Sequence, residues 1–526
     1  MSVRQGCLLA ALSFAGACLC FLVGLLVAPL AHAATVVRAT SPAPLPAAES
    51  ASLAIVVHDQ TALRAGPHEA APQQAQLWQG EVLEVRGEKL DYLQVWDYRR
   101  ERGGFVEASR VRRASVVAAD APELMAVVRF VRETPGAEAL GIGFAAAYLK
   151  AATPAMLRGE AGAEAFDAIG TMADRLAQRA SAGGATGAPS GAAPSRAETA
   201  LAAHLEVAAR YGLAFKSYER DGAMRICYDG EAFRHVLAMP SSAAARARAA
   251  LGLTRPECID PQTPVSERPR IDSWRADVLD RVDEAQLPKL LKNRVAMRRA
   301  SVWSSLAYQH ARRGEPAAEA ARRALAELAT VERVELADDD LPAWNDAAIR
   351  VGASRWAAAP QVAPSSRNVG VVTAPGDDGQ TCVSLVDAKH DAGSPLVKRC
   401  TYGIVWTASA ALNREGNALA LAVQPMDAWR ELWLFRKVGS GWVVQVLPPS
   451  TNAPGLGYAE FAGWVPGGKQ ILVARESRGE RGLKRSFEVV RLDSLVTERQ
   501  TADASALGPF MRWQDAAWKR ETVSVR

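Results

Sequence analysis

Between residues 62 and 111, short apolar runs alternate with glycine-bearing turns: Ala62-Leu63-Arg64-Ala65-Gly66-Pro67, Gln79-Gly80-Glu81-Val82-Leu83-Glu84-Val85, Tyr92-Leu93-Gln94-Val95 and Gly103-Gly104-Phe105-Val106. Runs this short and this close fit the strands of a small barrel, with glycine supplying backbone angles that a Cβ resists. Alternation puts Leu93 and Val95 on one side of a strand, and Tyr92, Trp96 and Tyr98 on the other. A small barrel has one interior, so one set faces out. Tyr92, Trp96 and Tyr98 are therefore candidate contacts for an extended peptide or a glycan. The alternative is that they pack on the next domain or under the loop over residues 97–102.

This order of elements resembles the bacterial SH3-like domain, over residues 52–113. It departs from the common pattern at Ala62-Leu63-Arg64, where asparagine, an aliphatic residue and arginine are usual, and at Tyr92 and Phe105, where tryptophan is common. These changes are apolar or turn-compatible and leave the fold expectation standing. The resemblance implies an attachment or cell-wall-binding module. Wall binding depends more on aromatic identity than the fold does.

Upstream, Arg4 precedes an apolar run from Cys7 to Leu30 that ends in Ala31-His32-Ala33. This is the pattern of an export signal over residues 1–33, cleaved between Ala33 and Ala34. The run is long enough that an uncleaved N-terminal membrane tether stays open. Residues 34–51, rich in alanine, proline and serine, read as a flexible linker. Export places the chain in the periplasm or elsewhere in the cell envelope. There the four cysteines beyond the leader, Cys227, Cys258, Cys382 and Cys400, are expected to form disulfides. Pairing of sequence neighbours is the simplest of three possibilities, each loop contributing about 3 kcal/mol. A metal site is not expected, because these cysteines include no C-x-x-C pair and have no histidine at ligand spacing.

Residues 120–180 carry helical periodicity, with Leu124, Val127, Val128 and Val131 on one face. Gly141-Ile142-Gly143-Phe144 follows no strand, so it reads as close helix packing rather than a dinucleotide loop. Residues 181–196 form a glycine-, alanine-, serine- and proline-rich linker. Residues 197–357 are again mainly helical, with one β-hairpin around Arg220-Asp221-Gly222. Within them Trp303 to Ala307, Gly314 and Ala324 to Leu328 are similar to one tetratricopeptide hairpin. No second copy follows, so an ordinary helix pair is expected. Arg294, Arg298 and Arg299 read as a wetted helix face, and Asp338-Asp339-Asp340 as a helix start or loop cluster.

From residue 365 to 526 the texture is strand-like. Trp406 to Val444 aligns with Trp464 to Val490 at a spacing of about fifty residues, the length of a four-stranded propeller blade. Trp464-Val465-Pro466-Gly467-Gly468-Lys469 resembles the tryptophan-serine-proline-aspartate-glycine-lysine turn of TolB-type propellers, with Val465 and Gly467 as departures. The expected fold class is multidomain α+β: a small SH3-like β-barrel, a helical middle and an all-β propeller-like domain.

Chemistry is sparse. Gly463 to Lys469 fits a phosphate-loop spacing, but Gln470 stands where a magnesium-binding hydroxyl is needed. No serine-elbow, zincin or S-x-x-K signature is present. His58-Asp59 and His390-Asp391 are expected in surface or turn roles. A net charge of +5 over 526 residues is too small to argue for nucleic acid. The reading is a non-catalytic envelope binding or scaffold protein without cofactor, with envelope proteins or peptidoglycan as partners. The alternative is a cell-wall hydrolase, or a hydrolase activator, targeted by the SH3-like module.

Overall fold

A computed structural model describes residues 52–183, 193, 195–220, 222–360, 369–451, 455–479 and 482–521. The leader, the Ala33/Ala34 cleavage point, the 34–51 linker and residues 184–192 and 194 of the second linker lie outside these residues; the ends of that expected linker, residues 181–183 and 196, belong to helices instead.

Seven strands come first: β1 (Leu53–Val56), β2 (Thr61–Arg64), β3 (Gln73–Leu77), β4 (Val82–Lys89), β5 (Tyr92–Asp97), β6 (Arg102–Glu107) and β7 (Val111–Ala114). They form one antiparallel sheet in the order β3-β2-β6-β5-β4-β1-β7. Its interior is Ala54, Val56, Leu63, Leu77, Leu83, Leu93, Val95 and Val106, so the expected inward pair is inside. The ladder runs from β3 to β7 without β3 and β7 pairing, so the stretch expected as a small barrel is an antiparallel sheet with two unpaired edges. Its last strand leads directly into helices, which cover that end instead.

The helical middle begins with α1 (Ala121–Arg132), α2 (Glu138–Ala151), α3 (Pro154–Arg158), α4 (Glu160–Gly183) and α5 (Arg196–Arg210). Thr153 and Ser195 cap α3 and α5 by accepting from backbone N–H groups, and Glu198 completes a capping box at α5. Two glycines of α2 permit close approach. A Cβ on Gly141 would collide with Met172 Sδ of α4, and one on Gly143 would meet Gly80 O of the sheet at 2.8 Å. This is the helix packing that the glycine spacing implied. Glu81, itself buried, accepts from Arg100 of the sheet and Arg210 of α5, both at 2.9 Å, tying the two regions by charge.

The chain continues through the hairpin β8 (Phe215–Arg220) and β9 (Ala223–Tyr228), then α6 (Glu231–Ala238), α7 (Ala243–Leu253), α8 (Arg268–Asp280), α9 (Lys289–Arg312), α10 (Ala318–Ala329) and α11 (Leu341–Ser354). Cys227 on β9 is bonded to Cys258 in a short 3-10 turn.

The C-terminal region opens with a three-stranded sheet, β10 (Gly370–Pro375), β11 (Thr381–Val386) and β12 (Val397–Thr401), whose last two strands are joined by Cys382–Cys400. Eight strands follow: β13 (Ile404–Leu412), β14 (Ala418–Met426), β15 (Trp429–Val438), β16 (Gly441–Leu447), β17 (Gly457–Val465), β18 (Gln470–Gly479), β19 (Gly482–Arg491) and β20 (Thr497–Thr501). Each of the two aligned sequence units is an antiparallel meander, β13 to β16 and β17 to β20. The meanders are fused through a parallel contact of β15 with β17 into one eight-stranded sheet. Two short helices, α12 (Gly508–Trp513) and α13 (Ala516–Glu521), close the described chain, and Phe510 and Trp518 pack on Phe487 of β19. The described residues therefore form a mixed α/β molecule: an N-terminal antiparallel sheet, a helical middle and a C-terminal sheet-rich region.

Candidate functional site

Three parts of the chain that are distant in sequence enclose one large cleft, with a volume of about 2160 Å³. One wall comes from α4, β9 and α7. The floor is the long helix α9. The far wall comes from α8, α11 and the turn between β14 and β15. Along α9 the residues facing the cleft include Arg294, Arg298, Ser301, Ser305, Gln309 and Arg312. Their spacing of three or four residues is one stripe of a helix, and at 1.5 Å per residue it is about 27 Å long.

The lining is unusual in charge. Fourteen arginines and eight carboxylates line the cleft, and no lysine does, leaving a formal excess of six positive charges. The whole chain has an excess of five, so the positive charge of the molecule is concentrated here.

Many of these arginines are built in. Arg275 of α8 donates to Asp272 Oδ1 at 2.8 Å and through Nη2 to Thr254 O at 2.7 Å. Arg248 is paired with Asp167, and Arg255 with Asp174 and Glu257. Arg294 reaches Asp340 at 2.8 Å. Arg298 is different. Its Nη1 donates to Leu251 O at 3.0 Å and to Thr254 Oγ1 at 3.3 Å, and no described carboxylate lies within ion-pair distance. Burial pushes its guanidinium down to about 10, with Glu257 opposing and the positive charges of Arg275 and Arg255 adding to the fall. It is still charged at neutral pH, and an anion entering the cleft would relieve that strain. The Arg225 side chain on β9 makes no hydrogen bond or ion pair with any described residue.

The turn between β14 and β15 brings the C-terminal sheet into the site. Tyr308 of α9 donates to Pro425 O at 3.3 Å, Ser305 Oγ lies 3.2 Å from Asp427 Oδ2, and Arg350 of α11 is 3.4 Å from the same oxygen. Burial in the cleft raises the Asp427 carboxyl above the usual aspartate range; Arg350 opposes the rise and Asp272 adds to it. Burial likewise raises Asp174 and Asp346, each opposed by an arginine.

The candidate contacts on the N-terminal sheet lie elsewhere. Tyr92 and Trp96 are half-buried on the outer side of β5, and Trp96 is capped by the Arg86 guanidinium at 4.4 Å. Tyr98 falls beyond the end of the strand, is exposed, and donates to Glu84 at 3.1 Å. None of the three lines the cleft. Arg294 and Arg298, expected to lie on a wetted face, instead floor the cleft. Arg299 is buried and donates to Leu279 O at 2.7 Å and Val282 O at 3.0 Å. Their neighbours explain the change, because α7, α8 and α11 pack around α9. Asp59 accepts from His204 Nε2 at 2.7 Å; His390 pairs with Asp387, not Asp391. Among the described residues no group of histidine, cysteine, aspartate and glutamate is arranged to hold a metal, and no helix is long and apolar enough to cross a membrane. The two disulfides are compatible with export.

No family model, curated protein or solved structure matches the chain.

Proposed function

We propose that this chain is an exported, non-catalytic binding protein of the cell envelope that holds an extended anionic ligand in its arginine-lined cleft. The observation carrying this reading is the row of arginines along α9 and its neighbours, with Arg298 half-buried and without a described carboxylate at ion-pair distance. Guanidinium groups present planar forks suited to carboxylate or phosphate. Small-molecule sites typically occupy about 300–1,000 Å³, so a cleft of about 2160 Å³ suits a polymer or peptide better than a metabolite. The N-terminal sheet serves on this reading as an SH3-like attachment module, and the two fused meanders as a propeller-like wall that carries Asp427 into the site. Peptidoglycan and envelope proteins both offer carboxylates in extended chains.

The test is retention of the mature protein on purified cell wall and on envelope extracts at low salt, with and without Arg298→Leu. Retention that falls with salt and with the substitution supports the reading; absence of retention counts against it. A second reading, a cell-wall hydrolase, draws on the approach of Asp272 and Asp427 to Ser305. Release of soluble muropeptides by the protein, lost in Asp427→Asn, would favour it.

A further inference from the structure

The charge of the cleft has two signs, and their placement narrows the ligand beyond size and net charge. Arg298 and Arg225 supply positive charge without a described carboxylate partner. Two turns further along α9, about 10 Å away, two carboxylates, Asp272 and Asp427, meet at one hydroxyl with Arg275 and Arg350 beside them. Ser305 Oγ lies 2.9 Å from Asp272 Oδ2 and 3.2 Å from Asp427 Oδ2. A hydroxyl has one proton and cannot donate to both carboxylates. Asp272 has other donors: Arg275 at 2.8 Å and Gln309 Nε2 at 2.6 Å. Asp427 is poorer. Arg350 reaches only its Oδ2, at 3.4 Å, and no described donor reaches its Oδ1. Beside them Gln309 Oε1 is a buried acceptor with no donor. At this end of the cleft Asp427 Oδ1 and Gln309 Oε1 therefore lack a described donor, while at the other Arg298 lacks a described carboxylate.

Resting on the reading of the cleft as an anion site, we propose that its ligand is an acidic peptide bound by its free amino terminus. The ammonium sits against Asp427 and Asp272, where its three N–H donors meet the excess acceptors. The peptide then runs toward Arg298 and Arg225, and an extended chain at about 3.3 Å per residue covers the 10 Å in roughly three residues. Carboxylate side chains from there onward pair with guanidinium groups. A polyphosphate or sulfated polymer has no positive end to place on the aspartates. A single-stranded nucleic acid uses a series of aromatic stacking platforms, whereas Phe233 and Tyr308 are the aromatic residues among the described lining.

The experiment uses the whole mature chain and fluorescence anisotropy. The probes are a ten-residue peptide rich in glutamate and aspartate with a free amine and a C-terminal dye, its N-acetylated twin, and inorganic polyphosphate as competitor. The free-amine peptide is expected to bind about tenfold more tightly than the acetylated one. Asp427→Asn should bring the two affinities together through the free-amine peptide, whereas a merely structural role for Asp427 would weaken both peptides alike and keep their ratio. Arg298→Leu should weaken both peptides about tenfold or more, with unchanged circular dichroism. Equal affinity for the two peptides, or tighter binding of polyphosphate than of peptide, overturns the proposal and leaves the anion-binding cleft intact. If none of the three anions binds at low salt, the cleft reading itself fails.

Discussion

Glu460→Gln is the sharpest test of how the C-terminal sheet is held to the helices. Glu460 on β17 is buried. Its Oε1 accepts from Arg355 Nε at 2.7 Å and lies 3.3 Å from Arg430 Nη2. Arg430 is fully buried on β15, and its Nη1 donates to Gly352 O of α11 at 2.6 Å. Burial pushes the Arg430 guanidinium down to about 10, with Glu460 opposing. Glutamine keeps the shape and an acceptor but removes the charge, so two buried guanidinium groups lose their counter-ion. Breaking a buried pair in this way costs about 3–5 kcal/mol, a large share of a typical total of about 5–15 kcal/mol. Replacing both charges, as in Arg430→Met with Glu460→Met, should recover part of that loss, because no uncompensated Arg430 charge is left behind. Urea unfolding followed by tryptophan fluorescence and by circular dichroism reads the change as a shift in midpoint. Because this joint also fixes the turn bearing Asp427, Glu460→Gln should lower peptide affinity at urea concentrations below the main transition. A stability loss under about 1 kcal/mol would refute the reasoning, because it would mean that the buried charges are hydrated or compensated by other groups.

Other outcomes follow from the same geometry. Cys258→Ser releases the turn that carries Glu257 beside Arg255; it should cost about 3 kcal/mol and weaken cleft binding, read by denaturation and by anisotropy. Thiol labelling of native protein should find Cys227, Cys258, Cys382 and Cys400 unreactive. Gly143→Ala places a methyl group 2.8 Å from Gly80 O and should destabilise by about 1–3 kcal/mol, measured by urea unfolding. Tyr98→Ala should leave stability within about 0.5 kcal/mol, since the side chain is exposed; loss of wall retention in this variant would assign the N-terminal sheet a separate ligand site. Asp427 gives a pH dependence of defined sign. Its folded carboxyl titrates above its unfolded value of 3.8, so the native state holds more protons in that window and stability falls as pH rises through it. Asp427→Asn should flatten that part of the profile of midpoint against pH.

Local structure was legible where local rules decide it. Alternation placed Leu93 and Val95 inside, the Gly141 and Gly143 spacing marked a close approach, and the nearest-neighbour cysteine pairing is the one found. The hairpin, the helical stretches and the two aligned strand units were visible for the same reason. Closure was not legible. Whether seven strands return on themselves depends on pairing between β3 and β7, more than thirty residues apart by numbering, and no periodicity records that. The eight-stranded sheet likewise depends on the parallel contact at Trp429 and Arg430, which neither aligned unit announces.

The cleft was hidden for a different physical reason. Arginine at helical spacing looks the same whether it faces water or a cavity, since its long apolar stem and charged head suit both. Arg294, Arg298 and Arg299 follow the pattern of a solvated face, and only the arrival of α7, α8 and α11 around α9 changes their surroundings. The sign of the net charge offered no help either, because carboxylates elsewhere in the chain dilute the excess to +5. One signal was available: α9 carries polar residues on a stripe along its whole length, yet Val295, Val302, Leu306 and Ala307 bury the remaining sides. A helix surrounded by packing on most sides while retaining an arginine stripe keeps those charges because something charged answers them. For most of the arginines the answer is an aspartate or glutamate of this chain. For Arg298 it is a carbonyl and a hydroxyl, which carry no net charge, and the anion that completes it has to come from outside.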